Sequence, residues 1–417
     1  MHLEIATAEQ YNCKPVQPYV PYKWPLALDL LKRNYEILFS DHTLEGLTPY
    51  FNIAKTCCIH TFGVTGYFTT DPENVEAILS TKFEDWGLGS RRLAIHSLLG
   101  EGYLFARWAS METISRADPT PVQAAVDGRV DLKPLMFEYT LNTTTALLFG
   151  EPHSSMTKEK ACRAVRDWAT FFATKAIKYK DEHGEEAAAK KYPFIIDLWK
   201  EMHEFDLVRD QLLHVLVAGR DSTASLLCWT FFHLVRNRTV LERLQRQIAA
   251  VPNQGDVTRE QIQKLRFLRF AIVSLIAYES PFREQNHRTT SGGGPDGNSP
   301  VLMPKGAGIV WSVYHLHRLE SIYGPDSRMF RPERWESGEL IKKARPGAGY
   351  VDFNGGPRIC LGKDYALMEA SYAIIRILQT YPDIRIASGV PNEPVGAEKQ
   401  TYTIGIYPLN GVHVNLY

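Results

Sequence analysis

Apolar residues recur at helical spacing from Leu132 to Ile177, return at Phe194, Ile195, Leu198, Met202 and Phe205, and then run over Val208–Val235, the longest such pattern. A last run, Tyr365, Ala366, Met368, Ala370, Ile374, Ile375 and Leu378, predicts another helix. Leu26–Leu38 shares the period, and Asp71-Pro-Glu-Asn predicts a helix start carried through Ile78. Strand patterning is shorter. Thr61–Thr69 alternates aromatic and β-branched residues about a central glycine and predicts a hairpin, Val301–Gly306 and Ile309–Tyr314 read as two strands, and Tyr402–Tyr417 alternates as a terminal hairpin. Lys178–Lys191 is a charged tract, a solvated helix or linker, and residues 1–25 are polar and punctuated by Pro15, Pro18, Pro21 and Pro25.

The 417 residues are 44% hydrophobic, ample for a large core. Forty-seven basic residues balance forty-seven acidic ones, so nothing drives the chain toward nucleic acid. No run of eighteen apolar residues predicts a transmembrane helix. Six cysteines, at 13, 57, 58, 162, 228 and 360, form no Cys-x-x-Cys pair, and no secretory leader pattern opens the chain, which is usage typical of a reducing compartment. His315 and His317 would share one face of a strand, but no histidine or cysteine group has zinc spacing.

Two stretches carry chemistry. Phe353-Asn-Gly-Gly-Pro-Arg-Ile-Cys-Leu-Gly362 is a glycine-rich loop that presents one thiol just ahead of a helix start, where backbone amides favour the thiolate. Ala218-Gly-Arg-Asp-Ser-Thr223 interrupts the longest apolar run with a glycine and two hydroxyls, a weakness that makes room for a ligand or water.

Phe353, Gly356, Arg358, Cys360 and Gly362 fill the spacing Phe-x-x-Gly-x-Arg-x-Cys-x-Gly, which resembles the haem-ligand signature of the cytochrome P450 superfamily. Ala218–Thr223 resembles that family's Ala/Gly-Gly-x-Asp/Glu-Thr-Thr/Ser, with Ser222 in place of the usual threonine. The resemblance runs from about residue 15 to the end. It implies a mainly α fold with small β-sheets, a single domain over 26–417 behind a 1–25 lead-in, and a long helix over haem b. It also implies that Cys360 ligates the iron, that Phe353, Gly356 and Gly362 shape the loop, and that Arg358 and Arg288 hold propionates. Asp221 with Ser222 or Thr223 would deliver protons. The implied reaction inserts one oxygen atom of O2 into a C–H bond of an apolar substrate, with electrons from NADPH through a reductase partner. Phe83–Arg92, the stretch after Leu226 and the insert Ser291–Pro300 are similar to the fungal branch that hydroxylates long-chain alkanes and fatty acids near the terminal carbon.

The chain also departs from the family. All eight tryptophans lack an arginine four residues on, so the family's Trp-x-x-x-Arg is absent; Tyr103–Thr120 passes quickly into Val130–Leu135, which predicts an internal deletion, with Arg107 or Trp108 as partial substitutes. No Glu-x-x-Arg occurs. By position that pair falls on Val273/Ile276 or Ser274/Ala277, while Glu279 and Arg283 have the wrong spacing. Arg334 would then be buried without its carboxylate, which predicts weak haem retention or misfolding. The early prolines stand where microsomal members follow a membrane anchor, so the chain reads as an intracellular protein, anchor missing, peripheral to the endoplasmic reticulum membrane. Three alternatives stay open: a haem-poor relative without turnover, an apolar-ligand binding protein with a metal-less Cys360, and a haem enzyme that rearranges peroxides.

Overall fold

The computed structural model describes residues 9–10, 12–17, 19–87, 128–149, 161–275, 282–284, 288–294, 297–304, 307–392, 398–402 and 405–417. They gather into two compact units, each assembled from separated stretches. Met1–Ala94, Val273–Cys360 and Glu393–Asn410 make the first, and Ile95–Ile272, Leu361–Asn392 and Gly411–Tyr417 the second.

In the first unit, helix α1 (Leu28–Leu38) starts two residues later than its apolar period, because Leu26 and Ala27 take left-handed φ values of 56° and 58°. The Asp29 carboxylate accepts the Lys23 and Trp24 amides and so turns the lead-in across the helix start. Strands β1 (Thr56–Thr61) and β2 (Val64–Thr69) pair antiparallel around Phe62-Gly63, both at positive φ, the geometry a two-residue hairpin turn demands. The hairpin thus begins five residues ahead of the predicted stretch, and Gly66 lies inside β2 opposite Ile59. β2 continues parallel onto Gly308–Trp311, which pairs in turn with Phe282–Glu284. The insert after Arg288 opens as a strand, Arg288–Gly293, antiparallel to Ser299–Met303.

The strand predicted through Tyr314 stops at Trp311. Ser312 accepts the His315 amide and caps a helical turn, Val313–Leu316, so the two histidines do not share a strand face. His315 bonds Thr48 and Ser312, while His317 accepts the Val351 amide at 2.9 Å. Burial pushes both rings down to about 3, so they are neutral core groups.

The second unit is built on α2 (Leu132–Phe149), the helices Ala161–His183 and Pro193–Met202, α3 (Phe205–Leu234) and α4 (Lys363–Thr380). The charged tract is helical on both sides of Gly184, whose φ of 85° breaks it. Phe149 and Phe172 stack at 4.1 Å in a core that also takes Ile195, Leu212 and Leu216. Trp229, Phe231 and Phe232 are buried core residues. The predicted terminal hairpin forms only in part, earlier and shorter than its pattern, and the last strand leaves it. Gln400–Tyr402 pairs with Ile406–Pro408 in the first unit, whereas His413–Asn415 pairs with Arg129–Asp131 and Arg385–Ile386 in the second. Alternation marks a strand but not its partner. Among the described residues no helix is long and apolar enough to cross a membrane.

Candidate functional site

The cysteine loop closes on itself within the first unit. Gly356–Arg358 forms a 3-10 turn, the Ile359 amide donates to the Gly356 carbonyl at 3.1 Å, and the Cys360 amide donates to the Phe353 carbonyl at 2.8 Å. Gly356 sits at φ 57° against the turn Ala77–Thr81, and a β-carbon there would stand 2.0 Å from the Leu79 carbonyl oxygen. Only glycine fits that contact. Cys360 is exposed at the end of the loop, with exposed Ile359 beside it. Gly362 caps α4 as its pattern predicts, its carbonyl accepting the Ala366 amide at 2.8 Å.

In the second unit the acid and alcohol residues occupy different faces of α3. Asp221 pairs with Arg220 at 2.9 Å, and Arg220 lies over the Phe137 ring of α2. Burial raises the Asp221 carboxyl above its ordinary range, against the pull of Arg220. Ser222 is exposed and donates back to the Ala218 carbonyl at 2.8 Å; Ala218, one turn earlier, is exposed as well. Thr223 is buried, and its hydroxyl bonds the carboxyl of Glu369 on α4. Gly219 shares the Thr223 face, where a β-carbon would meet Thr144 of α2 at 2.8 Å.

Sequence reasoning passed over Glu369. It is fully buried, takes a hydrogen bond from Thr143 of α2, and is pushed up to about 8 by burial, against the two threonine hydrogen bonds. One signal was present: an acid one turn after Tyr365, on the apolar face of α4.

The expected orphan, Arg334, is not one. Its side chain is 8% exposed, yet it donates to the carbonyls of Arg331, Tyr323, Asp326 and Met329, and the Asp326 carboxylate lies 3.6 Å away. Where the absent charge pair would start, the ties are neutral: Trp335 Nε1 donates to Ser274 at 3.0 Å and the Tyr350 hydroxyl to the Val273 carbonyl at 3.2 Å.

The structure therefore brings Phe353, Gly356, Arg358 and Cys360 together along one loop, and sets Asp221, Ser222, Thr223 and Gly362 in the other unit. The Arg288 backbone lies in a strand, while the side chains of Arg288, Arg358 and Arg283 fall outside the described residues, as do Ile276, Ala277, Glu279, Arg107 and Trp108. A cavity of about 80 Å³ in the first unit, lined by Thr48, Phe51, His315 and Arg328, contains none of the candidate residues.

A model of the cytochrome P450 family matches residues 166–382. A cytochrome P450 of Arthroderma benhamiae is 32% identical over 476 aligned residues, 98% of this chain and 93% of the relative. Cytochrome P450 52A13 of Debaryomyces hansenii is 30% identical, covering 97% and 92%. Cytochrome P450 monooxygenase himC of Aspergillus japonicus is 29% identical, covering 97% and 84%. The first alignment is longer than the 417 residues of the chain, so the relative carries residues inside the match that this chain lacks.

Proposed function

The chain belongs to the cytochrome P450 family of haem-thiolate monooxygenases, and from that premise we propose that it hydroxylates a long-chain alkane or fatty acid at or near its terminal carbon. The observation that carries the reading is the closed loop that ends on exposed Cys360. A thiol and an apolar side chain, Ile359, at the tip of a rigid turn suit a flat apolar macrocycle. Cys360 would ligate the iron, Phe353 would flank the sulfur, and Arg358 and Arg288 would take the propionates. Haem, when bound, supplies the activation of O2, with electrons from NADPH arriving through a reductase. The alkane or fatty-acid substrate rests on likeness to the fungal branch.

Protons are the business of α3. Ser222 is the hydroxyl on the open face, and to donate elsewhere it only has to leave the Ala218 carbonyl. Asp221, its carboxyl raised by burial, holds a proton more readily than a surface aspartate and can resupply Ser222. Ser222→Ala is expected to leave stability within about 0.5 kcal/mol, as an exposed substitution does, while product formed per NADPH falls and peroxide release rises. Unchanged stoichiometry would remove Ser222 from the path.

The family reading is tested by reducing the haem-supplied chain under carbon monoxide, beside a Cys360→Ala control. A strongly red-shifted Soret band present only in the parent is expected, followed by terminal hydroxylation of a fatty acid with a reductase. A folded parent without that band would leave the haem-poor relative as the better reading.

An apolar face favours peripheral membrane contact. Leu28, Leu31, Tyr35 and Leu38 form a stripe on α1 that faces solvent, with exposed Tyr19, Tyr22, Trp24 and Phe39 around it. The Phe62 amide donates to the Leu26 carbonyl at 3.4 Å, which brings the exposed hairpin tip, Phe62 and Val64, to the start of that helix. Amphipathic aromatics beside Lys23 and Lys32 suit the headgroup level of a bilayer. Replacing Leu31 and Leu38 together by aspartate should lower binding to phospholipid vesicles on the order of tenfold or more, since each buried leucine contributes about 1.5–3 kcal/mol. Co-sedimentation unaffected by the double change would refute the contact.

A further inference from the structure

We infer that Glu369 is a neutral carboxylic acid that fixes the rotation of α3 and thereby holds the Ser222 hydroxyl on the open face; this rests on the reading of Ser222 as the proton donor. Two neighbouring helices reach its carboxyl. α2 gives the Thr143 hydroxyl, α3 gives the Thr223 hydroxyl, and the Tyr139 hydroxyl of α2 donates to the Glu369 backbone carbonyl at 3.3 Å. The titratable groups that face it are Tyr365 of its own helix, whose hydroxyl burial raises well above its ordinary range, and Tyr139, which donates to its backbone. α3 offers only a hydroxyl. A carboxylate placed there would be a buried charge among neutral partners, which is costly; the protonated acid is not. Glu369 Oε2 and Thr144 Oγ1 are buried polar atoms with no hydrogen-bond partner among the described residues, a pair that suits bridging water.

The link to Ser222 is geometric. α3 is held at two points of one face, Gly219 against Thr144 and Thr223 against Glu369, one helical turn apart. Ser222 and Ala218 lie about 100° around the helix from those points, so the two anchors decide where the serine faces. Glu369 never touches the reacting atoms; it is a positioning residue. Its elevated proton affinity also gives a sign to the pH dependence. The folded chain keeps a proton at Glu369 that the unfolded chain has lost, so stability falls as pH rises from the ordinary carboxyl range to about 8.

Infrared difference spectroscopy on the full chain tests the protonation state without any turnover. The carbonyl stretch of a protonated acid is expected at neutral pH, fading with a midpoint near 8 and absent in Glu369→Gln. The ratio of product to NADPH tests the positioning. In the parent it should fall through the same pH range; in Glu369→Gln, which bonds but cannot ionise, that alkaline decline should vanish; in Glu369→Leu the ratio should be several-fold lower at every pH. A missing infrared band overturns the neutral acid. A band with the same coupling profile in parent and Glu369→Gln overturns the positioning role. Should Ser222→Ala leave coupling intact while the band is present, the proton-donor reading fails and the positioning of Ser222 falls with it, an outcome distinct from loss of the band.

Discussion

Replacing Gly356 by alanine is expected to break the cysteine loop and abolish the thiolate signature under carbon monoxide. Two costs add at this position. Its φ of 57° lies in the left-handed region, which charges an alanine about 1–2 kcal/mol. The new β-carbon would also lie 2.0 Å from the Leu79 carbonyl oxygen, 2.8 Å from its carbon and 2.9 Å from the Ser80 Cα. All three are backbone atoms, so no rotamer change relieves the clash, and overpacking of this kind costs about 1–3 kcal/mol. The sum, roughly 2–5 kcal/mol, is a large share of the stability of an ordinary domain. Gly355→Ala is the internal control: its φ is −149°, and its nearest foreign atom, the Gly347 Cα, is 3.2 Å away. Urea midpoints and the carbon monoxide spectrum of both variants settle the matter. Equal behaviour of the two would mean that the Leu79 contact does not hold the loop.

That pair also shows what a sequence carries and what it hides. The loop is legible because it is local: Phe353 and Cys360 bond each other within one turn of chain, and fixed spacing encodes that closure. The spacing singles out Gly356 over Gly355, but the physical reason, the backbone of Leu79 far away in sequence, is hidden from it. Glu369 escaped notice for the same reason, since Thr143 and Thr223 come from other helices and the apolar run of α4 masks an acid within it. The choice between Ser222 and Thr223 needed the helix rotation, because neighbouring residues on a helix point about 100° apart. Periodicity located α3 and α4 well, as long amphipathic runs permit. It misassigned the last strand of the terminal hairpin, His413–Asn415, which pairs with residues almost three hundred positions earlier and with Arg385–Ile386.

Arg334→Ala is expected to destabilise the chain by about 3–5 kcal/mol, the loss of several charge-assisted hydrogen bonds worth about 1.5–3 kcal/mol each, partly replaced by water. The physical origin differs from the one the sequence suggests. With no Glu-x-x-Arg to meet it, Arg334 should have been a buried cation lacking a partner. Instead its planar fork reaches four backbone carbonyls at 2.8 to 3.2 Å, a share of donors that an ammonium cannot copy. Burial lowers its proton affinity, and Asp326 partly restores it. Arg334→Lys should therefore recover only part of the loss, because three donors on a flexible stem replace a rigid fork. Asp326→Asn should cost below about 1 kcal/mol at this site, as its carboxylate lies beyond direct bonding distance and is partly exposed. The ordering, alanine worst, lysine intermediate, Asp326→Asn mildest, is read from denaturant midpoints. If Asp326→Asn proved as damaging as Arg334→Ala, the carboxylate rather than the carbonyl cage would be holding the arginine. The meander before the cysteine loop would then depend on one ion pair, with Trp335–Ser274 and Tyr350–Val273 as its remaining neutral ties.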